Sequence, residues 1–240
     1  MRHLRVLAFL LAALITLTTL SVSAEIFVFS DTDDLDIAYI KDSALVTNFN
    51  YPNGNGIIAR YTGVDLGEAP KEVKCSARFN GGGAVALVTT PSEDWSVAGI
   101  TARSLHVVFS SEGYYLGFYE DGILTDVLTG AYTLDLTGET VYTFGMTISG
   151  STITLALPNG KTVKKRDDRV KTCNGAYVIF EHYLTAENVE EHNAPAITSV
   201  YAKGASLDAL KDDFDRNDGL PFVAPSGHVY MQFRNATPEG

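Results

Sequence analysis

The chain has 240 residues, 45% of them hydrophobic and 20% charged, with 29 acidic against 18 basic side chains and a formal net charge of −11 at pH 7. Such a balance excludes a general nucleic-acid binder and a protein held on anionic lipid by its overall charge, since both need cations in excess. It suits a solubilising surface, divalent cations or neutral polysaccharide as partners.

Residues 1–24 read as a secretory signal. Arg2, His3 and Arg5 open it, an apolar stretch from Val6 to Leu20 follows, and Ser21-Val22-Ser23-Ala24 supplies a small-residue cleavage site. The apolar run is short for a membrane span, and no later segment is apolar enough to be one. The expectation is a secreted protein, extracellular, periplasmic or on the cell surface, with no membrane insertion. Without the segment's two arginines, the remaining 216 residues carry −13. Residues 25–240 contain no linker, low-complexity tract or repeat and are expected to form a single domain.

Strands are predicted in chain order at Ile26–Phe29, Ile57–Tyr61, Glu72–Phe79, Ala84–Thr89, Ala98–Ala102, Ser104–Ser110, Tyr114–Tyr119 and Ile123–Leu128. They continue at Val141–Ile148, Thr152–Leu157, Lys161–Lys165, Ala176–Tyr183, Ala196–Ala202 and His228–Arg234. The clearest signal lies in VYTFGMTISGSTITLALPNGKTVKK, where apolar residues alternate at period two and Ser149-Gly150 and Asn159-Gly160 interrupt them, as in antiparallel hairpins. Ser206–Arg216 reads either as a short helix with Ser206 as its cap or as an ordered loop. Many short strands with turn residues between them predict an all-β fold, a two-sheet antiparallel sandwich or barrel.

Strand phase divides the side chains into two faces. Leu105, Val107 and Phe109 alternate with Ser104, His106 and Val108, and Leu116 and Phe118 alternate with Tyr115 and Tyr119. In the last strand Val229, Met231 and Phe233 are predicted to point inward, leaving His228, Tyr230, Gln232 and Arg234 outward. The strand at 176–183 is apolar on both sides and is expected to be central, with Glu181 on the same side as Tyr177, Ile179 and Tyr183. The second face therefore carries tyrosines for stacking on sugar C–H patches, and His, Gln, Arg and Glu for hydrogen bonds to hydroxyls. The candidate carbohydrate contacts are Arg78, His106, Tyr115, Tyr119, Glu181, Tyr230, Gln232 and Arg234.

The succession SARFNGGGAVALV, SLHVVFSSEGYYLGFYEDG, YTFGMTISGSTITLALPNGKTV and NGAYVIFEHY resembles the concanavalin A-like lectin/glucanase superfamily, of LamG-type jelly-roll form. The resemblance covers roughly 25–234 and rests on strand rhythm and turn placement. It implies a jelly-roll β-sandwich whose one sheet face contacts a glycan or polysaccharide. Glucanases of the superfamily carry ExDxxE or ExDxE on one strand, whereas Glu181 stands in IFEHY with no acid two or four residues away. Lyases of this fold resemble an arginine strand, a Gln-x-His strand and a late Tyr-rich strand with a lysine. Here Arg78 comes first, His106 matches the histidine, and Tyr230, Gln232 and Arg234 come late, but Ser104 replaces the glutamine and HVYMQFR has no lysine. Were the protein an enzyme, a polysaccharide lyase or glycoside hydrolase, His106, Glu181 and Tyr230 would be its proton-transfer candidates. The remaining reading is a non-catalytic structural or adhesive surface protein.

Cys75 and Cys173 are the only cysteines. In an oxidising compartment such a pair forms one disulfide; the alternative is a buried thiol and a loop thiol. No CxxC or HxxxH spacing points to a transition metal, and no cofactor is expected beyond Ca²⁺. Candidate oxygen ligands for that ion are Asp31, Asp33, Asp34 and Asp36, and then Asp212, Asp213, Asp215 and Asp218. Lys161, Lys164, Lys165, Arg166, Arg169 and Lys171 form a basic cluster after Asn159-Gly160, read as edge protection or as a site for an anionic polymer.

Overall fold

The computed structural model describes residues 38–47, 58–93, 97–184, 194–216 and 223–234. The predicted signal segment, the strand at Ile26–Phe29 and the aspartates at 31–36 lie outside these residues.

Fifteen strands and two short helices make up the described chain. The eight-stranded sheet contains β1 (Ala38–Lys41), β2 (Ala44–Thr47), β13 (Ala196–Lys203), β4 (Glu72–Asn80), β9 (Thr137–Ser149), β10 (Thr152–Ala156) and β11 (Thr162–Arg166), in that order, with β14 (Leu210–Asp212) also paired to β13. The seven-stranded sheet runs β15 (Met231–Arg234), β3 (Ile58–Asp65), β12 (Tyr177–Leu184), β5 (Ala84–Thr90), β6 (Arg103–Ser110), β7 (Gly113–Glu120) and β8 (Ile123–Ala131). Every pairing is antiparallel. The chain passes between the sheets after β2, β3, β4, β8, β11, β12 and β14. The molecule is an all-β, two-sheet antiparallel sandwich, as the strand pattern predicts, of the jelly-roll form that the resemblance implies.

The core lies between the sheets. From one side come Val73, Cys75, Ala77 and Phe79 of β4 with Phe144 and Met146 of β9; from the other come Leu105, Val107, Phe109, Leu116, Phe118 and Phe180. These are the inward phases read from sequence, and each ring so buried contributes ~2 kcal/mol through the water it leaves. The seven-stranded sheet has a second buried layer as well. Every residue of β5 is buried, and all of β7 but Glu120. On the far side Ala84, Ala86, Val88, Val108, Tyr115 and Ile179 pack with Ile100. β12 lies between β3 and β5, as its two apolar sides predict.

Three elements differ from expectation. Ala98–Ala102 is not a strand: Val97–Ala102 forms α1, because β5 and β6 pair antiparallel and the chain must reverse between them. The Ser104 hydroxyl donates to the Ile100 carbonyl at 2.5 Å and fixes the helix end to β6. Val170–Cys173 forms a second turn of helix, α2. Of the two readings of Ser206–Arg216 the loop holds, interrupted by the short strand β14. The β1–β2 hairpin carries no Asn-Gly or Asp-Gly signal; Asp42 and Ser43 take φ of 51° and 53° at its turn.

Candidate functional site

The second face of the seven-stranded sheet gathers four of the predicted contacts. Antiparallel partners share a face, and register aligns Glu181, Ala86, Val108 and Tyr115 across β12, β5, β6 and β7. The next row is Ile179, Val88, His106, Gly117 and, on β8, Asp126. Ala86 and Gly117 alternate on this face with Val88, Val108 and Ile179, and tyrosine rings lie over it. The Tyr115 ring crosses Gly117, where a Cβ would lie 2.0 Å from the Tyr115 hydroxyl, and that hydroxyl donates to Asp126 at 2.5 Å. The Tyr119 ring meets His106 edge-on, with centroids 4.9 Å apart. Glu181 accepts a hydrogen bond from the Tyr183 hydroxyl.

These groups are enclosed: Glu181, Tyr119, Tyr115 and His106 are 1 to 5% exposed. The polar face expected to meet solvent is a buried layer. Burial pushes the Glu181 carboxyl up to about 8, with the Tyr183 hydrogen bond opposing, so it is protonated at neutral pH. Burial pushes His106 down to about 3, so its imidazole is uncharged. Tyr119 lies above the ordinary tyrosine range through burial and then through the nearby carboxyls of Glu181 and Asp126. Among the described residues, His106 Nε2 is buried without a hydrogen-bond partner. A neutral carboxylic acid, a neutral imidazole and phenols can donate and accept hydrogen bonds, or pass protons, toward a hydroxyl-bearing ligand.

The other predicted contacts do not join them. Arg78 lies on the outer face of the eight-stranded sheet, with the core between it and Glu181, because Ala77 and Phe79 take the inward phase of β4. Tyr230 is in the core and not outward. Its ring lies beside Phe214, its hydroxyl donates to Asp212 at 2.9 Å, and Val229 takes the exposed side after bridging to Val223. The side chains of Gln232 and Arg234 lie outside the described residues; register pairs them with Thr62 and Arg60. Gly117 and Asp126 were not singled out from sequence. Tyr-Leu-Gly-Phe-Tyr at 115–119, a glycine between two same-face tyrosines, is the signal that marks the first.

The cysteines are unpaired. Cys75 is buried on β4, while Cys173 is buried on α2 with its thiol directed at the Tyr119 carbonyl at 3.8 Å. Of the aspartates at 212–218, Asp212 takes two hydrogen bonds from Arg216, at 2.6 and 2.9 Å, besides that of Tyr230, and Asp218 lies outside the described residues. No group of three or more metal-ligating side chains occurs among the described residues. No described helix is long and apolar enough to cross a membrane.

No family model matches the chain, and no curated protein does. Solved structures with partial likeness include a carbohydrate-binding module from Bacillus subtilis, 11% identical over 54% of this chain and 71% of the module, with a TM-score of 0.40. The homodimeric agglutinin CG-16 from chicken liver is 11% identical over 58% of this chain and 97% of its own, with a TM-score of 0.41. Chicken galectin 2 is 11% identical over 50% of this chain and 90% of its own, at 0.37.

Proposed function

We propose that this is an exported carbohydrate-binding protein, lectin-like and related to the concanavalin A-like sandwiches, that takes a neutral glycan against the second face of its seven-stranded sheet. The observation that carries this reading is the convergence of His106, Tyr115, Tyr119 and Glu181 on one sheet face, with His106 Nε2 left without a hydrogen-bond partner among the described residues. An unmet buried polar atom costs about 1–3 kcal/mol, and a ligand hydroxyl supplies the missing bond. The strands place no lysine or arginine on this face among the described residues, and Glu181 is held protonated, so the ligand chemistry is uncharged.

The test is a glycan and polysaccharide array probed with the exported form, residues 25–240, followed by titration of the best ligand. Saturable binding weakened about tenfold or more by Glu181→Gln or Tyr119→Ala is expected. A blank array with folded protein sinks the proposal. Reducing-end and unsaturated-product readings on the same polysaccharides distinguish cleavage from binding alone.

A further inference from the structure

The opposite surface of the molecule has a different chemistry. Along the outer face of the eight-stranded sheet, one register row reads Lys211, Tyr201, Lys74, Gly145, Ala156 and Thr162 across six strands, ~24 Å at the usual interstrand spacing. The next row reads Lys203, Glu72, Thr147, Thr154 and Lys164, and Arg166 lies beyond it opposite Thr152. Arg78 extends the same face on β4. Six cations, Lys74, Arg78, Lys164, Arg166, Lys203 and Lys211, thus share one face of a chain whose net charge is −11.

Little on this face neutralises them. Glu72 is committed to Lys74 at 2.6 Å, and Glu139 at the start of β9 is the other acid in phase. Arg78, Lys164, Arg166, Lys203 and Lys211 form no ion pair with a described residue. The basic cluster read from sequence is split by the fold. Arg169 is held by Asp167 at 2.8 Å and Lys171 lies 3.6 Å from Asp168, while Lys164 and Arg166 turn onto the outer face.

The cations form two rims, on β4, β13 and β14 to one side and on β11 to the other. Between them runs a low corridor at Gly145 and Ala156, edged by the hydroxyls of Thr143, Thr147, Thr152 and Thr154. We propose that this outer face binds an anionic polysaccharide, its carboxylate or sulfate groups on the two cationic rims and its hydroxyls on the threonine band. Charge complementarity selects an anion, and the hydroxyl band selects a ligand that is itself rich in hydroxyls. The only aromatic in the rows, Tyr201, lies under the Lys74 ammonium at 5.6 Å and offers no stacking platform for bases. Val141 is the one large exposed apolar side chain in phase, too little to enter a lipid surface. This surface is independent of the enclosed site on the other sheet.

Dextran sulfate, polygalacturonate and neutral dextran of matched length are the probes, titrated calorimetrically at low and physiological salt. Binding to at least one acidic polymer and not to neutral dextran is expected, weakening about tenfold or more in Lys164→Ala/Lys211→Ala, which removes one cation from each rim, and as salt rises. The charge-matched control Arg103→Ala/Lys171→Ala, off this face, should change the affinity less than about twofold. Unfolding midpoints check that both variants fold. Glu181→Gln should leave acidic-polymer binding intact, so loss of the enclosed site and loss of this one are read separately. No binding to either acidic polymer, equal weakening by both double variants, or tighter binding to single-stranded DNA or to anionic vesicles overturns the proposal.

Discussion

A single buried carboxyl sets one side of the pH response of this protein. Glu181 has a folded-state pKa near 8, raised above the unfolded value of 4.5. Between those values the folded chain keeps a proton that the unfolded chain has released, so stability falls as pH rises through this window. His106, lowered to about 3, and His182, lowered to about 4, act oppositely. Below 6.5 the unfolded chain takes up protons that the two folded imidazoles refuse, and stability is lost as pH falls. Two histidines outweigh one carboxyl between 4.5 and 6.5, so the unfolding midpoint should peak near pH 6.5 and decline on both sides. In Glu181→Gln the alkaline decline up to pH 8 should flatten while the acid limb stays, as urea titrations at pH 5, 6.5 and 8 will show. An unfolding midpoint that does not fall between pH 6.5 and 8 in the unsubstituted protein would mean that Glu181 reaches water. Gly117 makes a second residue-scale test. A methyl there meets the Tyr115 hydroxyl, so Gly117→Ala should displace that ring from Asp126 and cost about 1–3 kcal/mol in urea unfolding.

At the scale of elements, what can be read from sequence follows the range of the forces that form each one. β9, β10 and β11 are legible because period-two apolarity and glycine turns are local; Gly150 and Gly160 do take φ of 58° and 78°. The β1–β2 hairpin escapes because Asp42 and Ser43 adopt positive φ without glycine, and four-residue strands carry no periodicity. The face of Tyr230 is misread because the alternation of 228–234 takes the opposite phase, with Tyr230 turned inward to a hydroxyl bond with Asp212 on another strand. Of the site, phase alone brings His106, Tyr115, Tyr119 and Glu181 to one face, but it cannot tell that Arg78 belongs to the other sheet or that the face is enclosed. Ser206 shows the same competition. It has the chemistry of a helix cap, yet the Glu68 carboxylate accepts its N–H and that of Leu207, both at 2.8 Å, and its hydroxyl at 3.0 Å, which stops a helix from starting. Those bonds hold Glu68 down to about 2. In Glu68→Ala the Ser206 and Leu207 amides should exchange with solvent about tenfold faster or more, while amides of β4 and β9 keep their rates. Equal acceleration everywhere would make Glu68 a determinant of the whole sandwich instead of its loop.

Across the whole molecule, the two thiols report whether the sheets open separately or together. Cys75 sits in the interior of the eight-stranded sheet, hydrogen-bonded on either side through β13 and β9. Cys173 is buried on α2 beneath Tyr119 of the other sheet. Burial raises both thiols above their ordinary range, and a thiol reacts only as an exposed thiolate. Because both side chains belong to the one core between the sheets, the opening that bares Cys75 must part β4 from its neighbours and from the facing sheet, leaving α2 nothing to pack against. Labelling with an aromatic disulfide reagent should therefore be negligible in native buffer. With added urea both thiols should become reactive in step, their rates following the equilibrium population of unfolded chain. Reaction of Cys173 alone in native buffer would show that α2 opens without the sandwich. An intact mass two hydrogens lighter, with no thiol to label after unfolding, would show a disulfide and with it a different arrangement of β4 and α2.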